Sequence, residues 1–204
     1  MEVILFDCQD KSHPFYLQCA EIHQKEIPNG FLSKLGPNFL ASLYYSFSRS
    51  QHSFLMLAVE NNEVVGFIVI SINTKKFFTW YLMSEFLMNF YKIPILRLGS
   101  LFFKNSYDIL KYPFTKEKET ESFVSNSEIF NFCVHRSFQD RGLGTILFNS
   151  AIERLKSFNV KRLKIVTGKE QEKAQKFYKK NGANFLHMIT VHEEEKSMVF
   201  VLNL

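Results

Sequence analysis

Two glycines one residue apart, Gly142 and Gly144, stand in FQDRGLGTILF (residues 138–148), between a strand-like apolar run and a stretch with helical spacing. A chain that passes from a strand through Gln139, Asp140, Arg141, Gly142, Leu143 and Gly144 into a helix at Thr145 gathers backbone N–H groups at a helix N-terminus. There the macrodipole adds about half a positive charge, and the first donors have no intrahelical partner. The arrangement is a seat for an anion. Missing side chains at positions 142 and 144 let a diphosphate approach the backbone, and Arg136 and Arg141 supply counter-charge. The spacing excludes two familiar seats. A dinucleotide fingerprint wants a third glycine where Leu147 stands, and a Gly-Lys-Ser/Thr phosphate loop wants a lysine between Gly144 and Thr145. A tight bend that uses glycine only for its conformational freedom also fits these residues.

The charge around the loop agrees with an anionic ligand. From His135 to Gly182 there are twelve Lys and Arg against four Asp and Glu, so this segment is more basic than the whole chain, whose net charge is +5. Such a local field draws anions. Nucleic acid is not expected, because the basic residues are spread over helical and strand-like pieces with few interleaved aromatics.

The elements that must position the loop follow from periodicity. Residues 1–8 read as a first strand, and 13–26 and 33–49 as helices separated by Pro28-Asn29-Gly30, with Ser33 as N-cap of the second. The runs 53–60 and 63–72 around Asn61-Asn62 read as a hairpin, since both asparagines tolerate positive φ. A Phe-rich helix (77–91), a turn at Pro94, a second apolar helix near 95–110 and the charged run KEKETES follow. Then come a buried strand (127–134), the glycine loop, a helix (145–158) with Ile146, Leu147, Ala151, Ile152 and Leu155 on one stripe, and a strand (160–167). A helix (170–181) stopped by Gly182 and two strands (184–192, 196–203) complete the chain. The expected fold class is α/β (α+β): one domain over 1–204 around a mixed sheet, with residues 75–125 inserted before the fourth strand.

Composition narrows the class. The 23 phenylalanines must fill a core, line an apolar pocket or cover a surface. Cys8, Cys19 and Cys133 have neither metal-ligand nor disulfide spacing, so no metal is expected and a reducing, cytoplasmic setting fits. The N-terminus lacks the basic lead and apolar run of a signal peptide. Phe77–Tyr91 is interrupted by Glu85 and is shorter than the about 20 residues that a membrane span needs.

The stretch V134-HRSF-Q139-D-R-G142-L-G144-T-I-L147 resembles motif A of the GNAT superfamily of acyl-CoA transferases, Gln/Arg-x-x-Gly-x-Gly/Ala, and A174-QKF177-Y178-KKN-G182-A resembles its motif B. The order of elements also matches over nearly the whole chain, with 75–125 as the main departure. Others are His135-Arg136 where proline often follows the valine, Gln171 where many members have asparagine, and Ala183 after the glycine in place of phenylalanine. The resemblance implies a GNAT-like, mostly antiparallel sheet flanked by helices. It further implies acetyl-CoA as co-substrate, its coenzyme A portion held by Val134, Gln139, Asp140, Arg141, Gly142, Leu143, Gly144, Thr145, Gln171, Ala174 and Phe177. Tyr178 then protonates the departing thiolate, and a backbone N–H near Val134 meets the oxyanion.

An amine of the lysine type, with a pKa near ~10.4, arrives mostly protonated, so a base is useful. Glu128 in E128-IFNFCV134 resembles the glutamate base of histone-acetylating members, and burial in an apolar strand would raise its pKa. A solvated glutamate at a strand start fits equally well. His23, His135 and Asn131 are other base candidates, and His23, Phe31 and Asn131 are taken to line the acceptor side. The expected activity is N-acetylation of a small-molecule amine, with an amino sugar or nucleotide-linked amino sugar leading. The alternatives are a protein or peptide amine, or a silent acyl-CoA-binding or membrane-associated module. Residues 77–114 are open to a membrane surface, a lipid-linked acceptor or a homodimer contact.

Overall fold

The computed structural model describes residues 1–30, 32–86, 125–192 and 195–204. Their strands are β1 (Glu2–Leu5), β2 (Ser53–Glu60), β3 (Glu63–Ser71), β4 (Glu128–Val134), β5 (Arg162–Gly168), β6 (Asn184–His192) and β7 (Glu195–Asn203). The helices are α1 (Pro14–Glu26), α2 (Pro37–Arg49), α3 (Thr74–Tyr81), α4 (Leu143–Lys156) and α5 (Glu172–Lys180). The seven strands form one sheet in the order β1-β2-β3-β4-β5-β7-β6, antiparallel throughout except for β4 beside β5. This is the mixed, mostly antiparallel architecture expected from the sequence.

Local chemistry accounts for the details. The β2–β3 turn uses Asn61 (φ 50°) and Asn62 (φ 63°), both left-handed, so its twist matches the strands. Gly182 ends α5 at φ 89°. Ser33 does not cap α2: it lies in a 3₁₀ turn (Leu32–Leu35), and its hydroxyl donates to the Ile27 carbonyl at 2.5 Å. The helix starts later because Pro37, with no N–H to lose, suits the first turn behind Gly36. The Phe-rich helix starts at Thr74 under an Asn73 cap and passes into a π-helical turn, Leu82–Phe86. The rest of that helix, and the one near 95–110, lie outside the described residues.

Two cores sandwich the sheet. One packs α1, α2 and α3 onto its first face, with Phe15, Tyr16, Leu40, Leu43, Phe47, Phe67, Phe77 and Phe78 buried. The other packs α4 and α5 onto the second face, around Leu147, Phe148, Ala151, Leu155, Ile165 and Phe200. Among the described residues, no helix is long and apolar enough to cross a membrane.

One irregularity in β4 positions the site. Val69 pairs with Asn131 and Ile70 with Ile129, so Phe130 is an extra residue, a β-bulge. Ile129 faces the α4/α5 core, and strict alternation would send Asn131 the same way. The bulge turns Asn131 instead towards His23 on α1.

Candidate active site

β4 and β5 pair only at Glu128–Lys164 and Ile129–Ile165; beyond these residues the two parallel strands separate. The His135 N–H donates to the Val65 carbonyl at 2.9 Å, and Gly66 lies opposite Val134. Antiparallel pairs alternate between bonded and non-bonded, so the N–H groups of Val134 and Phe132 point away from β3, into the gap. The Val134 carbonyl agrees: it accepts from Gln139 Nε2 at 2.8 Å. Phe132 of β4 packs against Phe177 and Tyr178 of α5, with ring centroids 5.6 Å and 6.4 Å apart.

The glycine loop stands at the open end. Asp140 (φ 60°) and Gly142 (φ 81°) are left-handed, which turns successive N–H groups to one side and starts α4 without a side-chain cap. The first amide to bond back within α4 is Ile146, to the Gly142 carbonyl. The amides of Leu143, Gly144 and Thr145 therefore have no intrahelical partner. The two glycines differ. A Cβ on Gly142 would meet nothing within 4 Å, whereas one on Gly144 would face Phe132, Phe177 and Val134 at 3.7–3.9 Å. Gly142 is the left-handed, open position, and Gly144 packs the loop onto the gap.

The remaining cofactor candidates gather around this loop with unequal roles. Leu143 is buried and anchors α4 by its side chain, while Arg141 and Thr145 are exposed and Arg141 lies 5.9 Å over the Phe138 ring. Lys173 Nζ reaches Asp140 Oδ2 at 2.9 Å and Gln139 Oε1 at 3.0 Å, tying α5 to the loop. Gln171 is exposed and turned back on its own turn, where its Oε1 accepts from the Gly168 N–H at 3.2 Å. Ala174 and Phe177 pack against the second core.

Tyr178 is 5% exposed, and burial pushes its pKa above the usual tyrosine value, with Cys133 adding to the rise. It therefore holds its proton. Glu128 does not stand alone in an apolar strand: Lys164 Nζ lies 3.0 Å from its Oε2, where β4 and β5 still pair. The carboxylate is ion-paired across the two strands rather than isolated among apolar side chains.

His23 and Asn131 do come together, but in the interior. They are 2% and 6% exposed. Asn131 Nδ2 lies 2.7 Å from His23 Nδ1 and 3.0 Å from Tyr44 Oη, Tyr44 also bonds His23, and Cys133 Sγ donates to Asn131 Oδ1 at 3.3 Å. With the amide oriented as Cys133 requires, its NH₂ faces Nδ1, so that nitrogen carries the lone pair and the ring is neutral. Burial lowers the His23 pKa to about 4. His135 is half-exposed and caps the 3₁₀ turn Arg136–Phe138. Phe31 lies outside the described residues, as does most of 77–114.

Sequence reasoning missed Glu26 and Thr167. Glu26 Oε1 accepts from the Arg136 N–H at 2.9 Å and Oε2 from Gln139 Nε2 at 3.1 Å, contacts 110 or more residues apart that no local pattern announces. Thr167, on β5 beyond the last residue paired with β4, is 3% exposed, and its hydroxyl has no partner among the described residues. Alternation puts it on the Ile165 face, that of the second core. An orphaned hydroxyl, unpaired strand amides and an uncapped helix start fit a ligand with an anionic end and an amide-bearing arm.

Residues 110–183 match the family model described as Acetyltransferase (GNAT) family. SsHAT has a TM-score of 0.70 to this chain at 13% identity, covering 100% of this chain and 98% of its own. The fold is that of the GNAT acetyltransferases. An aminoglycoside 6′-N-acetyltransferase complexed with coenzyme A shares its fold with this chain at a TM-score of 0.60 and 12% identity, over 100% of this chain and 97% of that one. The ribosomal-protein-S18-alanine N-acetyltransferase from Escherichia coli does so at 0.55 and 12%, over 99% and 94%. No curated protein sequence matches the chain.

Proposed function

We propose that the protein transfers the acetyl group of acetyl-CoA to the amine of a small molecule, an amino sugar or nucleotide-linked amino sugar being the leading class. One observation carries the reading: an uncapped, left-handed loop at a helix N-terminus opens onto a gap between two parallel strands, and unpaired strand amides point into it. In this reading the amides of Leu143, Gly144 and Thr145 hold the diphosphate, with Arg141 and Lys173 near it. Thr167 and the Phe132 amide hold the arm.

The acetyl thioester supplies an activated carbonyl. In this reading the Val134 N–H meets that carbonyl's oxygen as it gains negative charge, beside the packed rings of Phe132, Phe177 and Tyr178, where a fixed donor counts for more than in water. Tyr178 keeps its proton at neutral pH and is assigned to deliver it to the thiolate. Support for a small-molecule amine comes from the aminoglycoside-acetylating neighbour; the neighbour that acylates a ribosomal protein keeps a protein amine in the test.

The test is calorimetric titration with acetyl-CoA, followed by thiol release against amino sugars, nucleotide amino sugars, polyamines and peptides. Binding with turnover on an amino sugar is expected. Turnover on peptides alone would move the acceptor to protein, and absence of coenzyme binding would sink the reading. In the same assay Tyr178→Phe should lower turnover roughly 100-fold or more with coenzyme affinity unchanged; an unaltered rate would remove Tyr178 from the chemistry.

A further inference from the structure

Glu26 is the last residue of α1, where the helix dipole is negative and a carboxylate is disfavoured by about 0.3–1 kcal/mol. Its surroundings explain its presence. One oxygen accepts the Arg136 N–H at 2.9 Å, just past the end of β4, and the other accepts from Gln139 Nε2 at 3.1 Å. The Gln139 amide is then fully used. Its second N–H donates to the Val134 carbonyl at 2.8 Å, and its oxygen accepts from Lys173 Nζ at 3.0 Å. A carboxylate and a carbonyl on one side and an ammonium on the other admit only this orientation of the amide. The chain of bonds runs from α1 to the residue whose N–H points into the gap, and on to α5.

We propose that Glu26 is a positioning residue for coenzyme A. It fixes Gln139, and through it the Val134 peptide and the approach to Gly142, so that the loop's amides are oriented before the coenzyme arrives. The inference rests on the reading of this loop as the coenzyme A diphosphate seat. Gln24, two residues earlier on α1, donates to the Ser33 carbonyl at 2.9 Å, and Ser33 to the Ile27 carbonyl, so the last turn of α1 bonds Ser33 as well as the anion loop.

The experiment is calorimetric titration of coenzyme A into wild type, Glu26→Ala, Glu26→Gln, Gln139→Ala and the Glu26→Ala/Gln139→Ala double variant, with thermal unfolding of each. Removing a carboxylate that accepts two bonds should weaken coenzyme binding roughly tenfold. Glu26→Gln keeps the shape and one acceptor oxygen, and should fall between. The double variant should bind no more weakly than Gln139→Ala alone, because both residues act through one chain of bonds. A merely structural Glu26 would lower the unfolding temperature and leave the affinity of the folded protein unchanged; that result, or full additivity, overturns the inference. Wild type that fails to bind coenzyme A overturns the inference and the diphosphate reading together.

Discussion

On the α4/α5 side of the sheet the buried cluster is built from aliphatic and phenylalanine side chains with Tyr178, whereas on the α1/α2 side an equally buried cluster encloses His23, Tyr44, Asn131 and Cys133, bonded to one another. The first side offers its polar groups outward, as backbone amides at the loop and along β4. The second satisfies its polar groups internally. The difference assigns separate tasks: the amides of the first side are available for a ligand, and the bonds of the second fix how α1 and α2 sit on the bulged strand. A change on the first side should therefore be read in binding, and one on the second in folding.

The largest effect belongs to the first side. Gly142→Glu forces a left-handed position (φ 81°) onto a residue with a Cβ, at about 1–2 kcal/mol, and sets a carboxylate beside the loop's amides. Because a Cβ there meets nothing within 4 Å, the fold should survive. Coenzyme affinity should fall by roughly a hundredfold or more, measured by calorimetry, with secondary structure unchanged by circular dichroism. Undiminished binding would remove the loop from the site.

The second side should show itself in pH. His23 titrates near 4 in the folded protein against 6.5 when unperturbed. Between those values the unfolded chain binds a proton that the folded one refuses, so stability is fully present above pH 6.5 and declines as pH falls towards 4. The slope approaches about 1.4 kcal/mol per pH unit, about 3 kcal/mol over the window. Tyr44, Cys19 and Cys133 are pushed upward by burial and stay silent there. His23→Leu should remove this slope and cost about 1–3 kcal/mol at pH 7, because the Tyr44 hydroxyl and the Asn131 amide lose their acceptor. Urea denaturation from pH 4 to 8 measures both. A wild-type slope that persists in His23→Leu would place the titration elsewhere.

The same contrast explains what could be read from the sequence. Gly142, Gly144 and Tyr178 sit in short contiguous stretches, where spacing alone prescribes a helix start and a helix face, and the hairpin at Asn61-Asn62 is equally local. Most element boundaries follow from such patterns. Ser33 misled because a proline four residues later outcompeted it for the helix start. His23, Tyr44 and Asn131 are joined by folding across more than 100 residues, and the single inserted residue Phe130 decides which way Asn131 faces. Alternation, the signal from which a strand is read, points the wrong way at that residue. Glu26 was hidden for a related reason, since a glutamate at a helix end looks like surface until its partners at 136 and 139 arrive.

The smallest effect separates the two glycines that look alike in sequence. Gly144 lies in the first turn of α4, and the Cβ of Gly144→Ala would stand in ordinary contact with Phe132, Phe177 and Val134. Alanine also favours the helix by up to about 1 kcal/mol. Coenzyme affinity should therefore change by less than about threefold, and the unfolding temperature should hold or rise. The motif that this loop resembles, Gly-x-Gly/Ala, admits alanine at the second position, and the geometry agrees: only the first glycine is left-handed. A collapse of binding in Gly144→Ala comparable to that in Gly142→Glu would mean that the ligand passes over the wall of the gap at Gly144 itself, and that the loop acts there by close approach rather than by its left-handed turn.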